Sequence, residues 1–203
     1  MITVKHISKS FADVQILKDV SFVFETGKTN LIIGKSGSGK SVLTKCIVGL
    51  FEPDKGEIFY DERKLSDLKP KARKEIRKEI GMLFQASALF DSLTVEENVA
   101  FPLNMFTKMT KEEISDRVNF CLNRVNIINK NQLFPSELSG GMQKRVAIAR
   151  AIAMQPKYLF CDEPNSGLDP VTAFVIDELI KEITEEYNMT TIVITHDMNS
   201  VLE

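Results

Sequence analysis

Gly34-Lys35-Ser36-Gly37-Ser38-Gly39-Lys40-Ser41 decides the fold. It fits the phosphate-binding loop pattern of Gly, four residues, then Gly-Lys-Ser. Before it, Thr29-Asn30-Leu31-Ile32-Ile33 is a short β-branched run that reads as a buried strand. After it, Val42 to Leu50 reads as a helix closing near Gly49. The loop therefore stands between strand and helix, the context the motif requires. Its glycines let the backbone wrap a phosphate, while peptide N–H groups and the helix N-terminus supply positive potential. Lys40 is placed to reach the terminal phosphates, and the Ser41 hydroxyl to hold Mg²⁺. A flexible Gly/Ser linker could match the pattern by accident, but a strand and an amphipathic helix would not flank it.

A chain of 203 residues predicts one α/β domain with an inserted subdomain, large enough for a substantial core. Lys and Arg number 26 against 28 Asp and Glu, a net charge of −2, which argues against a dedicated nucleic-acid binder. Cys46, Cys121 and Cys161 are too widely spaced for a metal pattern or a disulfide framework, so a reducing cytoplasm is expected. No signal peptide and no apolar run of bilayer-spanning length is visible, so a membrane role is expected to come through a partner.

Outward from the loop, Ile2 to Ile7 and Ser21 to Glu25 alternate as strands, predicting a small antiparallel sheet. Phe11 falls in the loop between them, and reads equally as a base-stacking aromatic or as one capping a core. Gly56 to Tyr60 is a further strand, and the basic run Lys69 to Lys78 is a solvated helix opening at Pro70. Glu79 to Gln85 is a buried strand that delivers Gln85 to a ligand edge. Val95 to Met105 is predicted helical but broken by Pro102, and Thr110-Lys111-Glu112-Glu113 is a capping box opening a helix whose face is Ile114, Val118, Cys121, Leu122 and Val125. Ser139-Gly140-Gly141 leads into an Ala-rich helix over Gln143 to Met154. It reads either as a second anion site or as a plain cap, and the residues leave both open. Tyr158 to Glu163 is an apolar strand ending in Asp162 and Glu163, one suited to Mg²⁺ and the other to polarising water. Asp169 and Pro170 open a helix whose buried side is expected to be Val171, Phe174, Val175, Leu179 and Ile183. His196 follows the strand Thr190 to Thr195, again at the ligand edge.

The set in order is the phosphate loop, Gln85, a helical insertion, Leu138-Ser139-Gly140-Gly141, Asp162-Glu163, Ser166-Gly167-Leu168-Asp169 and His196. It resembles the nucleotide-binding domain of ABC transporters over essentially the whole chain. The resemblance implies an α/β fold: a P-loop NTPase (RecA-like) core with a parallel sheet, a small N-terminal antiparallel β subdomain and an inserted α-helical subdomain. The expected division is 1–86, 87–154 and 155–203, the last truncated at its C-terminal end. The resemblance also implies ATPase activity with ATP and Mg²⁺ as cofactors. Gly34, Lys35, Ser36, Gly37, Ser38, Gly39, Lys40 and Ser41 would hold the phosphates. Ser41, Gln85 and Asp162 would serve the metal. Glu163 would be the general base, with Gln85 and His196 sensing the γ-phosphate, and Phe11 would stack on adenine. Ser139, Gly140 and Gly141 would contact the nucleotide of the opposite subunit in a head-to-tail homodimer, and Asp169 would couple the two sites. Met142 stands where the family usually has Gln, which leaves the Ser and Gly contacts intact.

Met82 to Leu103, together with Pro135 to Met142, resembles the ATPases of bacterial Mla/MCE-type phospholipid transporters. That resemblance implies an integral membrane permease and an MCE-domain lipid-binding protein as partners, and a peripheral place on the cytoplasmic face of the inner membrane. The alternatives are the ATPase of a small-solute importer or of a lipoprotein-release complex. A soluble ABC protein acting on ribosomes or DNA fits less well, because the chain has neither tandem domains nor a coiled-coil insertion.

Overall fold

The computed structural model describes residues 1–196. It opens with β1 (Ile2–Phe11), β2 (Val14–Phe24), β3 (Lys28–Ile33) and α1 (Lys40–Ile47). Next come β4 (Lys55–Tyr60), β5 (Arg63–Lys64), α2 (Pro70–Lys78) and β6 (Ile80–Leu83). Then come α3 (Val95–Phe106), α4 (Lys111–Arg124), α5 (Gly140–Ile152), β7 (Tyr158–Asp162), α6 (Pro170–Glu186) and β8 (Thr190–Thr195). Among the described residues these strands make two sheets: an antiparallel one in the order β2-β1-β4-β5, and a parallel one in the order β3-β8-β7-β6.

The first two strands are longer than their alternation suggested. The register of β1 on β2 shifts between Val4 and Ile7, where His6 takes a φ of 53°, and Asp19 opposite takes 51°. Their side chains meet at 2.7 Å. Each irregularity breaks the period of two, so the visible pattern ends before the strand does. Phe11 accordingly closes β1, paired with Val14, rather than lying in a loop.

The parallel strands feed two cores at once. Along β7, Tyr158 and Phe160 point into one cluster, while Leu159 and Cys161 point into the other. Along β8, Ile192 and Ile194 oppose Val193 in the same way. Burial on both faces explains the unbroken apolar runs of β7 and β8, whereas β3, expected to be buried, is an edge strand with Leu31 and Ile33 each 40% exposed. The first cluster joins the two sheets. Tyr60 and Tyr158 stack edge to face at 4.8 Å, worth about 0.5–1.5 kcal/mol beyond their buried area. The Tyr60 hydroxyl donates to the Ile47 carbonyl at 2.8 Å, and Arg63 grips Glu79 through two bonds of 3.0 and 2.7 Å.

The second cluster joins α3, α4 and α5 to the other face of the parallel sheet. Both α3 and α4 open on capping boxes, Thr94 with Glu97 and Thr110 with Glu113. Val118, Cys121, Leu122 and Val125 are buried as expected, with Ile114 packed at the edge. Two expectations need correction. Pro102 does not break α3, which runs through it. The N–H that proline lacks would have met the Asn98 carbonyl one turn back. Asn98 is itself fixed, its side-chain amide donating to the Phe90, Leu93 and Thr94 carbonyls, and Val99 and Leu103 are buried on either side. In α6, the buried face is Ile176, Leu179, Ile180 and Ile183, whereas Val171, Phe174 and Val175 are 75%, 50% and 38% exposed. The helix meets the sheet only after its first turns, so its apolar start stays uncovered by the described residues.

Candidate nucleotide site

The sheet order assembles the site. The carboxyl ends of β3, β8, β7 and β6 deliver in turn the phosphate loop, His196, the Asp162-Glu163 pair and Gln85 to one edge. There they line a cavity of about 460 Å³ with Ser36, Gly37, Ser38, Gly39, Lys40, Ser41, Val42 and Ile16. Gly39 caps α1 with a φ of 96°, and a Cβ there would lie 3.0 Å from Ile16. The loop's turn into the helix thus requires glycine. Lys40 Nζ donates to the Gly34 carbonyl at 2.6 Å and the Lys35 carbonyl at 3.2 Å, so the lysine lies along the loop it serves.

The acids differ in environment. Asp162 ends β7 in the sheet. Burial, and then the neighbouring Glu163 charge, push its pKa above the usual carboxylate value, against the pull of Lys40, Lys144 and Lys45. Glu163 follows with a φ of 49°, a left-handed conformation rare for a non-glycine residue and common where function over-determines geometry. Its N–H donates to the Ile194 carbonyl at 2.9 Å, and its Oε1 lies 2.7 Å from His196 Nδ1. Gln85 Nε2 donates to Ser166 Oγ at 3.3 Å.

Other expected site residues lie elsewhere. Phe11 is not in the cavity wall; it packs edge-on against Phe51 at 5.5 Å, and Ile16 from β2 lines the cavity. Ser139 caps α5 by accepting the Met142 N–H at 3.3 Å. Gly140 and Gly141 face Leu168 and Thr172 at the start of α6. Asp169 caps α6, accepting the Thr172 N–H at 3.0 Å and its hydroxyl at 2.6 Å. These four residues form a separate ridge across α5 and α6. One residue close to the site was missed in the sequence. Lys144 is buried, and its Nζ donates to the Gln85 carbonyl and, at 3.4 Å, to the Glu163 carbonyl. The signal was there: a lysine spaced i, i+3, i+4, i+7 with Ala147, Ile148 and Ala151 on an apolar helix face.

Comparison with known proteins shows the family. The ABC transporter family model matches residues 17–166. A methionine import ATP-binding protein, MetN of Clostridioides difficile, is 43% identical over 99% of this chain and 62% of its own length. A probable ribonucleotide transport ATP-binding protein, mkl of Mycobacterium leprae, is 40% identical over 98% of this chain and 57% of its own length. Among solved structures, a dimeric post-hydrolysis state of the ATP-binding cassette MJ0796, bound to ADP and Pi, superposes with a TM-score of 0.86 at 36% identity, covering 98% of this chain and 90% of that one. The chain belongs to the ABC transporter family, and its fold is that of the family's ATPase domain. It spans about three fifths of the length of the curated relatives it matches.

Proposed function

We propose that the chain is the ATP-binding and hydrolysing part of an ABC transporter ATPase that drives a membrane permease. One observation carries this reading: Lys40, Ser41, Gln85, Asp162, Glu163 and His196 line a single cavity beside the phosphate loop. The phosphates of ATP would lie along the Gly34 to Ser41 backbone, with Lys40 on the terminal pair. Among the described residues no cluster of three His, Cys, Asp or Glu could hold a metal alone. Ser41, Gln85 and Asp162 offer hard oxygens that would hold Mg²⁺, which would supply charge neutralisation at the phosphates. Glu163 is the general base, taking the proton of the attacking water, and His196 steadies its carboxylate and meets the γ-phosphate. Ser139, Gly140, Gly141 and Asp169, standing apart from the chain's own cavity, would complete the site of a second copy in a head-to-tail dimer. Phe11, 43% exposed beside Phe51, remains the candidate for adenine stacking.

For cargo, the descriptions of the two relatives, methionine import and ribonucleotide transport, favour a small polar solute over the phospholipid expected from Met82 to Leu103. The likeness of that stretch to Mla/MCE-type ATPases remains the basis of the second reading. Among the described residues no helix is long and apolar enough to cross a membrane. A peripheral place on the cytoplasmic face of the inner membrane, against the permease, follows from the proposed role. The test is purification from native membranes in mild detergent, with mass spectrometry of what accompanies the protein. A permease with a solute-binding protein supports solute import. An MCE-domain protein with bound phospholipid restores the lipid reading, and ribosomal or DNA-processing partners without a permease overturn transport.

A further inference from the structure

The buried lysine on α5 has no part in the roles above, yet its bonds close a ring. Lys144 Nζ donates to the carbonyls of Gln85 and Glu163. The Glu163 carbonyl also accepts the Ser166 N–H at 3.1 Å, and Ser166 Oγ accepts from Gln85 Nε2 at 3.3 Å. Lys144 of α5, Gln85 from the segment after β6, and Glu163 and Ser166 from the segment after β7 are thus locked together. α5 begins at the Ser139 cap, so Lys144 sits little more than one turn from the Ser139-Gly140-Gly141 ridge. A second strap lies further along the same helix. Arg150 donates to the Ser87 and Ala88 carbonyls at 2.8 and 2.7 Å, holding two residues of left-handed backbone just past Gln85.

We infer that Lys144 is a positioning residue for hydrolysis: it ties the general base and Gln85 to the helix that carries the Ser139-Gly140-Gly141 turn. A small displacement of α5, as when that turn meets a partner's nucleotide, moves the Glu163 backbone and Gln85 together. The base is thereby aligned in step with closure. The ammonium supplies donors to both carbonyls at the end of a long stem, and its buried charge is tolerated because Asp162 and Glu163 stand nearby. Burying the ammonium is otherwise unfavourable, and this separates a catalytic role from mere packing. Lys144→Met keeps the stem, removes the donor and relieves the buried charge.

The inference rests on Glu163 as base, so the test uses five proteins: wild type, Lys144→Met, Lys144→Arg, Glu163→Gln and the double variant Lys144→Met/Glu163→Gln. Each is measured in complex with its membrane partner. Lys144→Met is expected to lower kcat on the order of 10²-fold, with KM for ATP and Tm held or Tm raised, since misplacing a reacting group by about 1 Å costs that much. Lys144→Arg, which keeps donors and charge, should recover most of the rate. The double variant should be no slower than Glu163→Gln, because groups acting through one another are not additive. A Lys144→Met rate within twofold of wild type, or a loss that adds fully to that of Glu163→Gln, overturns the inference alone. A fall in Tm matching the fall in rate and unrelieved by arginine also overturns it. Wild-type turnover by Glu163→Gln overturns the assignment of the base instead.

Discussion

The approach of α5 to α6 gives a prediction that can be worked numerically. A Cβ on Gly141 would lie 2.7 Å from Thr172 Cγ2, whereas one on Gly140 would lie 3.7 Å from Leu168, an ordinary contact. Thr172 cannot swing aside freely, because its hydroxyl is held by Asp169 at 2.6 Å while the Asp169 carboxylate also caps its N–H at 3.0 Å. Giving up a bond to a charged group costs about 1.5–3 kcal/mol, and overpacking costs about 1–3 kcal/mol. Against this, Gly→Ala in a helix gains about 0.5–1 kcal/mol. Gly141→Ala should therefore destabilise by about 1–2 kcal/mol net, a Tm loss of roughly 2–8 °C for a chain of this size. Thr172→Ser removes the methyl and keeps the hydroxyl, so in that background Gly141→Ala should become neutral or stabilising. Gly140→Ala should be neutral or stabilising by itself. The assay is thermal unfolding of the five proteins by circular dichroism. If Gly141→Ala proves as stable as Gly140→Ala, or if Thr172→Ser fails to restore it, the reasoning is refuted.

Glu163→Gln keeps the shape and the contact with His196 but removes the proton acceptor; turnover should fall about 10²–10⁴-fold with ATP binding retained, as read by hydrolysis and nucleotide-binding assays. Asp162→Asn should raise Tm at neutral pH without nucleotide. The folded pKa of Asp162 is raised, so its stabilising contribution is complete below the unfolded pKa and is lost as pH rises through the folded one. The gain over wild type should shrink as pH falls into the carboxylate range, and a gain independent of pH would contradict this. Ser139→Arg should abolish hydrolysis while ATP binding to the monomer survives, and a mixed dimer carrying one such subunit should lose the activity of one site, measured as half the wild-type rate or less.

The cavity residues were legible because the phosphate loop, Gln85, Asp162-Glu163 and His196 each follow a strand of the parallel sheet. The apolar runs before Gly34, Asp162 and His196 announce strands, and a parallel order sends their ends to one edge. What stayed hidden depended on packing between distant elements. Phe11 was misplaced because the β1–β2 irregularities at His6 and Asp19 hide the strand's length. The α6 face was misjudged because spacing cannot say where along a helix the sheet begins to cover it. Pro102 passed through α3 because Asn98 anchors the turn before it through side-chain bonds to the preceding loop, which helix propensity does not register. Lys144 shows a charge on an apolar face, but only the fold shows that Gln85 and Glu163 receive it.

The core shared by α5 and the parallel sheet sets how this protein can be recombined. Val146, Ala147, Ile148 and Ile152 lie in the same cluster as Leu83, Leu159, Cys161 and Val193. The helical insertion is therefore no detachable module. A chimera that imports residues 87–154 from a relative inherits side chains shaped to another sheet, and crossover points tolerated by the fold should fall outside that shared layer. Divergence within the family would then proceed by paired changes on α5 and the strands beneath it.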